Sequence, residues 1–155
     1  MRRVDKKSEL TKAFDYAFTE DDQVLIEKAI IGTEVGVGVF NFGKETIALP
    51  VTEIISNNAF FDYEAKYEGK SEEITPARIE ADIYSEIQRL GIQIFDVLGL
   101  KGFSRIDFIV ENGTPILIEV NTIPGLSPES IIPQQIRSAG ISLNDFFTQC
   151  IDHIF

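Results

Sequence analysis

The chain has 155 residues, 44% hydrophobic, 25% charged and 10% aromatic, the composition of an ordinary soluble globular protein. Its 14 Lys and Arg against 25 Asp and Glu leave a formal charge of −11, which repels a nucleic-acid backbone. No apolar run approaches the ~20 residues of a membrane helix, no apolar stretch follows the basic start Met1–Lys7, and the single Cys150 excludes an internal disulfide. These features predict a cytoplasmic protein of one domain, residues 1–155, with neither nucleic acid nor membrane as partner.

Ser8 to Phe18 reads as a short helix, with Ser8 as N-cap and Leu10, Phe14, Ala17 and Phe18 at helical spacing. Three strands are predicted next, Val24–Glu27, Glu34–Phe42 and Thr46–Ile55, with turn chemistry at Asn41-Phe42-Gly43-Lys44. Asn57 to Pro76 is polar, turn-rich and aperiodic, and reads as a long loop. Ile79, Ile83, Ile87, Leu90, Ile94 and Val97 form one stripe, which predicts a helix from Ile79 to Leu98 ended by Gly99. Two further strands, Phe103–Val110 and Ile116–Val120, precede a Pro/Ser-rich loop from Asn121 to Ser130. Helices follow from Ile132 to Phe155, broken at Gly140 and Ser142, with Ser142 as N-cap. This order reads as an α+β fold with a largely antiparallel sheet and flanking helices.

Several chemistries are missing. The lone His153 lies at the end of the chain and reads as solvated, so no His-based triad is available. Cys150 sits beside Ile151 and Ile154 on an apolar helix face and reads as core. Gly36-Val37-Gly38 is a fragment of a dinucleotide fingerprint, but it lies inside a strand pattern with no helix after it.

The stretch Arg105 to Asn121 is the most informative. Two apolar strands flank a turn, and each carries polar residues two apart, Arg105 with Asp107 and Glu119 with Asn121, hence on one face of each strand. A two-residue Asn112-Gly113 turn puts Ile118 opposite Asp107 and leaves the carboxylates on opposite faces. A three-residue loop, Asn112 to Thr114, instead puts Asp107 opposite Glu119 and Arg105 opposite Asn121. There the carboxylates stand about 5 Å apart between Cβ atoms and call for a cation or a proton between them. Asp, Glu and an Asn carbonyl form an all-oxygen set that suits Mg²⁺ or Mn²⁺. The alternative is a solvated polar face on which Arg105 pairs Asp107. The loop from Asn121 to Ser130 could hold an anion such as a carboxylate on its backbone N–H groups.

Glu119-Val120-Asn121-Thr122-Ile123-Pro124-Gly125, Arg105-Ile106-Asp107 and Phe60-Phe61-Asp62-Tyr63-Glu64-Ala65-Lys66-Tyr67 together resemble the D-alanine–D-alanine ligases of the ATP-grasp superfamily. The resemblance runs from about residue 8 to the end, and its three motifs come in the family's order. It implies the C-terminal domain of an ATP-grasp fold and a ligation of two D-alanines through an acyl phosphate. It also implies ATP and two Mg²⁺ or Mn²⁺ ions held by Asp107, Glu119 and Asn121, with Glu119 bridging. Arg105 would stabilise the tetrahedral oxyanion, and Lys66 would reach the transferred phosphate or the substrate carboxylate. Tyr67, Ser130 and the Gly125 region would meet the second D-alanine. Val24 to Ile30, with Glu27, Lys28 and Ile30, resembles the adenine-binding hinge, and Glu34 the ribose-binding acid.

Ligases of this family are far longer. Their first D-alanine-binding domain and glycine-rich phosphate loop have no counterpart here, and Gly36 and Gly38 stand where the family usually carries larger residues. The expectation is a C-terminal catalytic portion, inactive alone, whose partners are D-alanine and the N-terminal part of the ligase. Homodimers are common among the ligases it resembles, through contacts that lie largely in their N-terminal part. Alternatives are an ATP-grasp ligase of another carboxylate and amine, a non-catalytic nucleotide- or metal-binding remnant, and a structural interaction domain.

Overall fold

In the computed structural model, residues 2–56 and 71–152 are described. They fall into two compact units, residues 2–30 with 56 and residues 31–55 with 71–152. Lys66, Tyr67 and His153 lie outside the described residues.

In the first unit, a 3-10 turn, Lys7–Glu9, leads into α1, Leu10–Ala17. Ser8 is not the N-cap expected of it. It lies inside the 3-10 turn, where Glu9 N already donates to Lys6 O at 2.9 Å, and Glu9 takes the cap position without a side-chain cap bond. Val24–Glu27 is not a strand. The segment joins no sheet ladder, and Leu25 and Ile26 are 82% and 67% exposed. β-branched residues make a strand only where a neighbour completes the backbone hydrogen bonds.

The second unit is built on a sheet of β1 (Thr33–Phe42), β2 (Glu45–Ala48), β3 (Thr52–Ser56), β4 (Ser71–Ile74), β5 (Phe103–Glu111) and β6 (Thr114–Asn121). The order is β4-β3-β1-β5-β6, with β2 also on β1; β1 pairs antiparallel with β2, β3 and β5, as β5 does with β6. The strand expected over Thr46–Ile55 is two strands. β2 lies on Val39–Phe42 and β3 on Glu34–Gly36, with Leu49-Pro50-Val51 between them. Pro50 has no N–H to give a ladder. The backbone beside it turns elsewhere: Leu49 N donates to Gly38 O at 2.7 Å and Val51 N to Tyr84 Oη at 2.8 Å. β4 occupies the end of the stretch read as loop up to Pro76, because the edge of β3 offers it a partner.

Alternation along β1 and β5 gives the sheet two different faces. Val35, Val37 and Val39 with Ile106 and Phe108 pack on α2, Ala81–Val97, through Ile87 and Phe95. Full burial of such a side chain contributes about 1.5–3 kcal/mol. The expected stripe is rotated at its end: Ile87 and Phe95 are buried, whereas Val97 is 78% exposed. Leu98 closes the helix and Gly99 follows at φ +62°, as its position predicts.

On the opposite face Phe40 and Leu49 pack with Ile132, Ile136, Phe146 and Cys150 from α3 (Ile131–Ser138) and α4 (Leu143–Asp152). Ser142 caps α4 as expected, accepting from Asp145 N at 3.0 Å and donating to its carboxylate at 2.6 Å. Burial pushes the Cys150 thiol up to about 11, in keeping with a core residue rather than a nucleophile.

Candidate functional site

The β5–β6 hairpin settles the register that the sequence left open, in an unexpected way. Asn112 and Gly113 have φ of +52° and +80°, so the turn is the two-residue primed type. From it run the pairs Glu111–Thr114, Val110–Pro115, Ile109–Ile116 and Phe108–Leu117. The register then shifts by one residue at Ile118, and the ladder resumes as Asp107–Glu119, Ile106–Val120 and Arg105–Asn121. A two-residue turn with a β-bulge therefore gives the same pairing of carboxylates as a three-residue loop. Val110–Pro115 is the second pair from a two-residue turn, a non-hydrogen-bonded one, so the missing N–H of Pro115 faces the open sheet edge.

Arg105 and Asp107 share the sheet face that carries α3. The guanidinium donates to both carboxylate oxygens of Asp107, Nε at 2.8 Å and Nη2 at 2.7 Å, and stands 3.9 Å from Glu119. The Arg105 and Asp107 side chains are 17% and 6% exposed, and Glu119 46%. Burial alone would lower the Arg105 pKa. The hydrogen bonds and charge of Asp107, with the charges of Glu119 and Glu73, outweigh it and raise it instead. The arginine thus supplies positive charge beside the facing carboxylates; Arg105 pairs Asp107 as the polar-face alternative had it, but largely out of solvent rather than on a solvated face.

The neighbouring strand is shaped around this pair. Gly36 lies opposite Asp107 and Gly38 opposite Arg105. A Cβ on Gly36 would come within 2.9 Å of Asp107 Oδ1, and one on Gly38 within 2.6 Å of Gln135 Oε1 and 2.7 Å of Ile132 Cδ1. The two glycines that depart from the expected family pattern therefore make room for the ion pair and for α3. Gln135, fully buried, fills the gap left where β2 and β3 part. Its Oε1 accepts from Gly38 N at 2.9 Å, and its Nε2 donates to Gly36 O at 2.9 Å and Thr52 Oγ1 at 3.0 Å.

The loop from Asn121 to Ser130 closes the same end of the sheet. Asn121 Oδ1 accepts from Ile123 N at 3.0 Å, and Arg137 donates to Pro128 O at 2.8 Å. Ser130 occupies the N-cap position of α3 but makes no side-chain cap bond; its hydroxyl pairs with that of Ser127 at 2.8 Å. Gly125 is brought against it, and a Cβ there would meet Ser130 Oγ at 2.8 Å. Gln134 donates through Nε2 to Glu129 O at 2.8 Å and also to Glu73 Oε2 on β4. Desolvation raises the Glu73 pKa, opposed by the Gln134 hydrogen bond and the charge of Arg105, and reinforced by Glu129.

Of the residues singled out from sequence, Arg105, Asp107, Glu119 and Asn121 come together at the end of the hairpin, with Gly125 and Ser130 together in the loop that follows. Glu34 lies on the same sheet face, two residues before Gly36. Glu27, Lys28 and Ile30 belong to the first unit, in a segment without regular structure. Sequence reading missed Glu73, Gln134 and Gln135. The first was hidden in an aperiodic stretch, and the glutamines read as ordinary helix residues.

Asp107, Glu119 and Asn121 provide two carboxylates and an amide oxygen, which fits a hard divalent cation. Among the described residues no group of three or more His, Cys, Asp or Glu is placed to hold a metal, so such a cation depends on that amide and on further ligands. None of the described helices is long and apolar enough to cross a membrane.

The family model described as D-ala D-ala ligase C-terminus matches residues 1–152. A D-alanine–D-alanine ligase from Flavobacterium johnsoniae is 51% identical over 150 residues, 97% of this chain and 46% of that protein. The solved D-Ala:D-Ser ligase VanG from Enterococcus faecalis superposes with a TM-score of 0.80 at 35% identity, over 97% of this chain and 44% of that one. The ATP complex of a D-alanine–D-alanine ligase from Bacillus anthracis gives 0.78 at 30% identity, over 98% and 49%. The chain spans about half the length of these relatives.

Proposed function

The chain belongs to the family of D-alanine–D-alanine ligase C-terminal domains, and we propose that it forms the metal-, ATP- and acceptor-binding portion of a ligase joining two D-alanines into a peptidoglycan precursor. The observation that carries this reading is the Asp107–Glu119 pair with Arg105 and Asn121 beside it, four polar residues that a bulge aligns at one strand end. ATP phosphorylates the carboxylate of one D-alanine; the amine of the second attacks that acyl carbon, phosphate leaves and the amine loses its proton. Asp107, Glu119 and Asn121 would hold Mg²⁺ or Mn²⁺, up to two ions, which neutralise phosphate charge when bound.

The chain's own residues do the positioning. Arg105, half-buried and held by Asp107, presents fixed positive charge toward the oxyanion of the tetrahedral intermediate. Ser130 and Gly125 hold the acceptor; the family resemblance also assigns Tyr67 to the acceptor and Lys66 to the phosphate. By the same resemblance, Glu27, Lys28 and Ile30 would meet the adenine and Glu34 the ribose. The first D-alanine site and the phosphate loop belong to the N-terminal half of such a ligase. The same reading places the enzyme in the cytoplasm, where ATP is, and as a homodimer, which light scattering checks.

The test joins this chain to the N-terminal half of the Flavobacterium johnsoniae relative and measures phosphate release from ATP. Release that requires D-alanine supports the proposal. Release stimulated only by another carboxylate and amine would replace it with a different ligase, and no release with any acid would reject the enzymatic reading.

A further inference from the structure

Two adjacent glutamines anchor the start of α3, and they do different things. Gln135 points into the core and ties the helix to β1 and β3. Gln134 points to the site side, where its amide nitrogen is shared between Glu129 O, just ahead of the helix, and the carboxylate of Glu73 on β4. The hydrogen bond to Glu73 is charge-assisted and the stronger kind. It connects elements 61 residues apart in sequence. Glu129 directly precedes Ser130, whose hydroxyl is left free of capping and turned to Ser127, with Gly125 packed against it. The charge of Glu73 also acts on the Arg105 guanidinium, after those of Asp107 and Glu119.

We propose that Glu73 is a positioning residue of the acceptor site: by holding Gln134 it fixes the Glu129–Ser130 turn relative to Arg105. This rests on the reading of the Gly125–Ser130 loop as the acceptor-binding element. Glu73 itself transfers no proton and touches no reacting atom. Its loss leaves Gln134 tied to Glu129 O alone and no longer anchored to β4, so that the turn samples positions in which Ser130 no longer meets the acceptor. Binding of the acceptor then carries the cost of ordering the turn, which appears in the acceptor KM.

Two measurements test it. In this chain, amide hydrogen exchange of Glu73→Ala is expected to be about tenfold faster at Ser130 and Gln134, whose amides bond Ser127 O and Ser130 O, with the α2 core unchanged. In the joined ligase, Glu73→Ala and Gln134→Ala each raise the D-alanine acceptor KM about tenfold, leave the ATP KM within twofold, and are not additive when combined. Glu73→Gln, whose amide oxygen still accepts from Gln134, brings the acceptor KM back toward wild type. Unchanged exchange at the turn, or equal rises in both KM values with exchange faster throughout the chain, overturns the inference. A joined wild type that turns over without needing D-alanine removes the proposed function, and the inference with it. An active wild type with unaltered Glu73→Ala kinetics removes the inference alone.

Discussion

Asp107 on β5 stands directly opposite Glu119 on β6, and it does so because Ile118 bulges out of the ladder between them. Without the bulge, the two-residue Asn112-Gly113 turn would set Ile118 against Asp107 and send Glu119 to the other face. The bulge sits next to the site, re-aiming side chains where the sheet edge approaches it.

Deleting Ile118 should preserve the pairing. Leu117 would still face Phe108, and the next residue, now Glu119, would face Asp107 in a regular ladder. Ile118 is 47% exposed, so little core is lost. Divalent-cation affinity within about threefold of wild type, equivalent to less than about 1 kcal/mol, is the expected result by Mn²⁺ titration. A loss of tenfold or more would mean that the bulge geometry itself, beyond the register, shapes the site.

Gly36→Ala and Gly38→Ala should both destabilise, for different reasons. The first presses on Asp107, whose carboxylate is held at both oxygens by Arg105. The second meets Gln135, Ile132 and Leu49 at 2.6–2.8 Å in a packed interior. Overpacking of this kind costs about 1–3 kcal/mol, read from the urea midpoint. Cation affinity should fall in Gly36→Ala and hold in Gly38→Ala; equal effects on affinity would contradict the assignment of the two glycines.

Two acids should give opposite pH signatures. The Arg78 side-chain hydrogen bonds hold the Glu53 carboxyl below its ordinary 4.5. Its contribution is present above about that pH and lost as pH falls through the lower folded value. Burial raises Glu73 above 4.5, opposed by Gln134 and Arg105, so its contribution is complete below that pH and lost as pH rises through the folded value. Melting curves from pH 3 to 7 check both. Glu53→Gln should be less stable than wild type at pH 7 and converge with it toward pH 3. Glu73→Gln should gain on wild type as pH rises.

Most of the sheet was legible because period-two and period-three-to-four patterns survive wherever one face is buried. The β5–β6 hairpin and the α2 stripe are of this kind. Val24–Glu27 had the composition of a strand and no ladder to join, a tertiary fact. Pro50 announced the break between β2 and β3, yet the Val and Ile around it read as one strand. The site was legible in its residues and not in its construction. Asp107, Glu119 and Asn121 could be read from spacing, but a bulge has no local signature at Ile118. Glu73 and Gln134 are joined only by the fold, across 61 positions of sequence.

Mn²⁺ binding by electron paramagnetic resonance, with ADP present, tests the hairpin site most directly. The comparison is the joined ligase in wild-type form and as Glu119→Ala, the acid that faces Asp107. Bound Mn²⁺ in the wild type, enhanced by ADP and lost in Glu119→Ala, is the predicted result. The same amount of bound Mn²⁺ in both proteins would contradict it and move the metal away from the hairpin.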